Sequence, residues 1–142
     1  MSNDGFQRQL AEMRTREHGE CVVCGLSNAS SLRVEYQACE DGSISARLPC
    51  PSLLQGYRGQ LHGGIISSLL DGAMTHCLFA GGREAVTAEL KIRYRQPVNP
   101  TRSVVVRAWM ERSRPPFAVL GAALAQDGQT MATACAKFID RR

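Results

Sequence analysis

At 142 residues and 15.5 kDa the chain has the size of one domain, and folding buries about 68–70% of the surface that its unfolded form exposes. With 44% hydrophobic and 21% charged residues it falls among globular sequences and outside the disordered class. The net charge of +4 comes from basic residues spread from Arg8 to Arg142, not gathered into a run, which argues against a nucleic-acid-binding tail.

The N-terminus starts polar and runs into Arg8, Arg14 and Arg16 with no apolar h-region, so no secretory signal is expected and the location is read as cytoplasmic. Phe6, Leu10 and Met13, with charges between them, predict a short amphipathic helix from Phe6 to Glu17, capped by Asn3 or Asp4. Leu32, Val34, Tyr36 and Ala38 alternate with polar residues, and the pattern resumes at Ile44, Ala46 and Leu48 after the turn signal Asp41-Gly42. This predicts a β-hairpin. Pro49 to Gly59 is rich in proline, glycine and polar residues and reads as a loop.

From Gly64 to Ala80 apolar residues fall as adjacent pairs four apart, Ile65/Ile66, Leu69/Leu70, Ala73/Met74 and Cys77/Leu78. Such a helix is apolar around most of its circumference and belongs in the middle of a fold. Its stretch is broken by Ser67, Ser68, Asp71, Thr75 and His76, so it lacks the ~20 apolar residues of a membrane span. Gly81-Gly82 ends it. Four strands are predicted next: Val86 to Tyr94, Ser103 to Glu111, Phe117 to Gln126 and Met131 to Ile139, divided by turn signals at Pro97-Val98-Asn99-Pro100, Arg114-Pro115-Pro116 and Asp127-Gly128. The fold class is therefore α+β, a curved antiparallel sheet wrapped around one long central helix, with a short N-terminal helix. Residues 1–20 form the helical segment and 21–142 a single domain. A sheet of this kind has two edges to hide, and a homodimer that continues the sheet is the expected solution.

Six cysteines, Cys21, Cys24, Cys39, Cys50, Cys77 and Cys135, are expected as reduced thiols in a chain large enough to hold a core without staples. Cys21-Val22-Val23-Cys24-Gly25, with His18 upstream, has the spacing of half a zinc site or a redox pair. No second such pair supplies further ligands, and the segment is read as a structural knuckle, with no metal and no cofactor expected.

Three features around the central helix bear on chemistry. His62-Gly63-Gly64 sits where loop becomes helix. There paired glycines either relieve crowding or let a ligand reach unpaired N–H groups at the positive end of the helix dipole, the geometry of an oxyanion hole. Asp71 lies mid-helix among residues expected to be buried, where an unpaired carboxylate is costly; alternatively it joins Ser67, Ser68 and Thr75 on a polar stripe bonded to a loop. The nine-residue gap between His62 and Asp71 puts them about 13 Å apart on opposite sides of one helix. They either are unrelated or meet across two subunits.

Leu61-His62-Gly63-Gly64-Ile65-Ile66 through Leu70-Asp71, then Val86-Thr87-Ala88-Glu89-Leu90-Lys91-Ile92-Arg93-Tyr94 and Pro97-Val98, resembles the hotdog-fold acyl-CoA thioesterases of the phenylacetate-pathway (PaaI-like) branch. The resemblance covers roughly Cys21 to the C-terminus, and the Cys21–Gly25 knuckle followed by Asn28 and Leu32 looks like an N-terminal element of one subgroup. It implies that a backbone N–H at Gly63 or Gly64 polarises the thioester carbonyl while His62 shapes the turn. Asp71 of the partner chain would be nucleophile or general base, with Thr87 helping to hold water. Where some relatives carry Asn six residues before the histidine, this chain has Gly56, and the adjacent Gln55 is the substitute candidate. The implied partner is an acyl-CoA, not nucleic acid or membrane, bound by a homodimer or a dimer of dimers. Arg58, Arg83, Arg93, Arg95, Arg112 and Arg114 are candidates for its phosphates. A hotdog dehydratase or hydratase with a His–acid pair, and a non-catalytic acyl-CoA binding or sensor module, are the alternatives.

Overall fold

Burying a helix that is apolar on most sides requires a sheet on one flank and further cover on another, and the chain supplies both. A computed structural model describes residues 2–49 and 51–141; Cys50, among the expected thiols, lies outside them, as do Met1 and Arg142. The elements are α1 (Asn3–Glu17), β1 (Gln37–Ala38), β2 (Ile44–Leu48), α2 (Gly63–Ala80), β3 (Ala85–Tyr94), β4 (Val104–Arg114), β5 (Phe117–Gln126) and β6 (Gln129–Asp140). The six strands form one antiparallel sheet in the order β1-β2-β4-β5-β6-β3, packed on α2.

Leu69, Leu70, Ala73 and Met74 of α2 are fully buried. Facing them, the buried positions of β4, β5 and β6 are largely small: Ala108, Ala118, Ala122, Ala132 and Ala136. Small residues let the helix sit close to the strands, and Leu120, Leu124 and Phe138 fill the space between. Burial of each large apolar side chain stabilises by about 1.5–3 kcal/mol relative to exposure. α1 covers the other flank through Leu10 and Met13, and is thus a packing helix.

Two expectations need correction. The cap of α1 is Ser2, whose hydroxyl accepts from the Gly5 N–H, so the helix begins at Asn3. The first hairpin strand shrinks to Gln37–Ala38 because Arg33 turns into the left-handed region at φ 54°, and the Leu32 and Val34 N–H groups bond to Val22 and Val23 carbonyls instead of to the sheet. The side chains of Val34, Tyr36 and Ala38 nevertheless alternate inward, which is the signal the pattern carried. The strand order adds what alternation does not carry: β3 does not pair with β4, its successor, but lies at the far edge beside β6. Asp127-Gly128, both at positive φ, make the tight turn expected between the last two strands.

Tyr36 and His76 lock α2 to the segment before β1. The Tyr36 hydroxyl donates to the Leu69 carbonyl at 2.9 Å, and its ring stacks on His76 at 4.4 Å. His76 Nδ1 donates to the Gly72 carbonyl at 2.7 Å, and burial pushes its pKa down to about 3, so the imidazole is neutral. A Cβ at Gly72 would stand 2.5 Å from the Tyr36 hydroxyl oxygen. Gly72→Ala is therefore expected to destabilise the fold by about 1–3 kcal/mol through overpacking. In a Tyr36→Phe background, where that oxygen is gone, the added cost of Gly72→Ala should shrink; equal costs in both backgrounds, measured by denaturant unfolding, would show that the contact does not limit the position.

Candidate functional site at the start of the central helix

The N-terminus of α2 is capped by its own histidine. His62 has extended backbone (φ −62°, ψ 132°), and its Nδ1 accepts the Gly64 N–H at 2.8 Å, so the imidazole carries its proton on Nε2. Ile65 and Ile66 N–H groups both reach the His62 carbonyl. Among the donors of this first turn, the Gly63 N–H alone has no acceptor among the described residues. The Gly63 carbonyl is held by the Tyr94 hydroxyl at 2.9 Å.

Clefts lie on both sides of this peptide. One, of about 340 Å³, is lined by Gly63, Ile66, Tyr94 and Arg95; the other, of about 400 Å³, by Gly56, Tyr57, His62 and Gly63. A Cβ on Gly63 would meet nothing nearer than Tyr94 at 3.5 Å. Crowding against the sheet therefore does not require this glycine. Its effect is to leave the N–H open at the positive end of the helix dipole, where backbone donors receive anions. Gly56 does answer a packing need, since a Cβ there would approach the His62 ring to 3.3 Å.

Two turns further along, Asp71 is half-buried, not enclosed as its neighbours predict. It lies on the polar stripe with Ser67 and Ser68, which bond back to the Gly64 carbonyl, and Thr75, which bonds back to the Asp71 carbonyl. Its carboxylate is held not by a loop but by β3: the Thr87 hydroxyl donates to Asp71 Oδ1 at 2.7 Å. Tyr94 at one end of β3 and Thr87 near the other thus reach Gly63 and Asp71, which puts both helix positions on one seam. It is Gly63, the neighbour of His62, that shares this seam with Asp71. Along it the two stand about 12 Å apart.

The Gln55 amide is engaged inside its own loop, its nitrogen donating to the Ser52 carbonyl and its oxygen accepting the Gly59 N–H. This geometry makes Gln55 a loop brace and does not present it to the Gly63 peptide. The arginines separate as well. Arg95 lines the Gly63 cleft. Arg83 is tied into the fold by Asp140, at 3.0 Å, and by Ser113. Arg112 and Arg114 line a cleft at the β4–β5 hairpin, and Arg93 one beside β6. Arg58 stands exposed in the loop before α2. His18, Cys21 and Cys24 form a separate group away from this seam's first turn, with their ligand atoms within 4.8 Å of one another. Alternation marks Tyr94 only as an ordinary strand residue, because nothing in it reveals that a strand-end hydroxyl will reach a helix N-terminus.

A model of the family described as "Thioesterase superfamily" matches residues 58–132, which hold both seam positions. No curated protein matches the chain. Among solved structures, the E. coli PaaI protein from the phenylacetic acid degradation operon superposes with a TM-score of 0.83 at 15% identity, covering 100% of this chain and 97% of its own. The thioesterase superfamily protein RHA08564 gives 0.79 at 24% identity, covering 85% of this chain, which spans 60% of that protein's length. A hypothetical thioesterase of Streptococcus pneumoniae TIGR4, solved with coenzyme A, gives 0.71 at 17% identity over 76% of this chain and 85% of its own. The shared architecture is the hotdog-like thioesterase fold.

The cap sets an expectation for His62. His62→Ala should cost about 0.5–2 kcal/mol of stability by freeing the Gly64 N–H, and His62→Asn, whose side-chain oxygen can cap in its place, should recover most of it. Equal losses for both variants in thermal or denaturant unfolding would refute a capping role.

Proposed function

The chain belongs to the thioesterase superfamily, and on that premise we propose that it hydrolyses an acyl-CoA thioester to the free acid and CoA, at a site assembled from two copies of the chain. The observation that carries this reading is the seam between α2 and β3, where the open Gly63 N–H and the Thr87-held Asp71 carboxylate stand two helical turns apart. A second copy running antiparallel along that seam brings Gly63 of one chain opposite Asp71 of the partner subunit, as a twofold axis requires. β3 is the sheet edge that such a copy would cover, and it exposes Val86, Leu90 and Tyr94.

In this reading the thioester carbonyl oxygen accepts the Gly63 N–H, and the helix dipole stabilises the negative charge that develops there. Asp71 of the partner subunit takes a proton from water as the water oxygen bonds to the carbonyl carbon; Thr87 holds the carboxylate in place. Collapse of the tetrahedral intermediate breaks the C–S bond, and the departing thiolate takes up the proton. Direct attack by the carboxylate, giving an anhydride that water then cleaves, uses the same atoms. Arg95, beside Gly63, is the candidate for a CoA phosphate. A dehydratase or hydratase needs a histidine free to exchange protons beside the acid. His62 gives its Nδ1 to the helix cap, which disfavours that reading.

The test is a panel of aryl and aliphatic acyl-CoAs, with release of free thiol followed. Asp71→Asn should lower kcat at least ~100-fold with KM changed much less, since the group acts mainly in the transition state. Wild-type protein that binds these esters without turnover would favour a binding module instead. Gly63→Pro should be equally inactive. It removes the proposed oxyanion donor, yet proline is tolerated at the first helical position and after the extended backbone of His62.

Mixing the two inactive variants tests the shared site directly. Random exchange gives half the dimers one site with both elements intact, so activity should return to about a quarter of wild type. If tagged-chain mass spectrometry shows exchange and activity stays at the parental level, the two-subunit site is wrong.

A further inference from the structure

The knuckle after α1 is not used by the seam, and its geometry points to a metal. We propose that His18 Nδ1, Cys21 Sγ and Cys24 Sγ bind one zinc ion, which pins the end of α1 to the domain. The three ligand atoms lie within 4.8 Å of one another. Cys24 Sγ is 3.6 Å from His18 Nδ1. In a tetrahedral site with Zn–S near 2.3 Å and Zn–N near 2.0–2.1 Å, the edge between sulfur and nitrogen is about 3.6 Å. The two atoms therefore already stand at the spacing a zinc ion would impose.

The backbone around them supports the same reading. The Val23 N–H points at Cys21 Sγ, 3.3 Å away, and such an amide stabilises a thiolate. The turn closes by the Gly25 N–H on the Cys21 carbonyl at 2.8 Å. A Cβ at Gly25 would fall 2.5 Å from both the Cys21 and Gly19 carbonyl oxygens, so only glycine permits the closure that turns both sulfurs to one side. The knuckle is clamped from outside as well. Arg14 of α1 donates twice to the Cys24 carbonyl, at 2.9 and 2.6 Å, and the Leu32 and Val34 N–H groups bond to Val22 and Val23. A donor set held in place before the metal arrives loses little entropy on binding.

The ligand chemistry selects the ion. Two thiolates and an imidazole favour a soft or borderline cation over calcium or magnesium, which take oxygen ligands. No fourth Cys, His, Asp or Glu joins the group among the described residues, which leaves the fourth tetrahedral position to water or an outside donor. The other use of such a pair, thiol–disulfide exchange, needs an accessible low-pKa sulfur. Cys24 is buried, which denies it that access.

The experiment is titration of the reduced 142-residue chain with cobalt(II) and then zinc, under argon. Expected is one equivalent of cobalt per chain, with thiolate-to-cobalt charge-transfer absorption and the visible bands of a tetrahedral ion, displaced by one equivalent of zinc. Cys21→Ser and Cys24→Ser should abolish the charge-transfer signal or weaken binding at least ~100-fold. Cys135→Ser, at an exposed strand position, should leave it unchanged. Zinc should also raise the Tm of the wild type and not of the two knuckle variants. Circular dichroism checks their folding, and if they fail to fold the wild-type stoichiometry and spectrum decide alone. Failure of the wild type to give a stoichiometric thiolate–cobalt spectrum would overturn the proposal. So would binding that survives both knuckle substitutions, or a Cys21–Cys24 disulfide that forms in air with zinc at saturation. None of these readouts depends on hydrolysis, so the zinc site stands or falls separately from the proposed activity.

Discussion

An α-helix that is apolar on most of its circumference can be stable in water only if protein surrounds it, and in this chain that demand falls on α2. β4, β5 and β6 meet it with a floor of alanines, and α1 meets it from the other flank. What stays uncovered is narrow: the first turn and the stripe that runs from Gly64 through Ser67, Ser68 and Asp71 along β3. The polar chemistry of the helix is confined to the strip that the core leaves open. Its serine and threonine hydroxyls satisfy themselves on preceding carbonyls, and Asp71 is the one group on the stripe whose charge needs a partner from elsewhere.

Two hydrogen bonds from β3 give the strip its order. Tyr94 fixes the Gly63 peptide through its carbonyl and Thr87 fixes the Asp71 carboxylate. Because His62 takes the Gly64 N–H, the turn has a defined cap and a single outward donor at Gly63. Capping and ligand binding draw on the same orphan N–H groups at a helix start. Here they are divided between adjacent residues, so a stable helix end and an anion-receptive one coexist.

The N-terminal segment obeys a different constraint. α1 ends at Glu17 with His18 as its C-cap, and the chain must then reverse to pass under α2 toward β1. The Cys21–Gly25 turn makes that reversal by folding its backbone tightly on itself, with Arg14 reaching from α1 to hold it. Behind it Tyr36 and His76 stack in the core, and His18 packs edge-on against Phe79. The same compactness that lets the segment seal one flank of α2 also brings two sulfurs and an imidazole together.

Hydrophobic period alone determined most of the architecture. Paired apolar residues four apart located α2 to within a residue, and alternation or apolar runs with Gly and Pro punctuation located β3 to β6; in α2 and in β4 to β6 these local patterns record which faces meet the core, whereas the alternating Val86, Leu90 and Tyr94 of β3 stay exposed at the sheet edge. The His62-Gly63-Gly64 turn and Asp71 were legible for the same reason: glycines at a helix start and an acid in an apolar helix each break a local rule. Strand order was not legible, since the crossing of β3 to the far edge beside β6 depends on which partners the whole sheet leaves open. Nor was the distribution of the N–H groups between Gly63 and Gly64, which turns on one imidazole rotamer, or the bond from Thr87 to Asp71, which joins residues 16 apart. Gln55 and Arg83 read as equals of the other candidates until tertiary contacts tied them to Gly59 and Asp140. Sequence pattern records burial, which is set face by face along each element. The direction of a hydrogen bond between two elements exists only once both are packed.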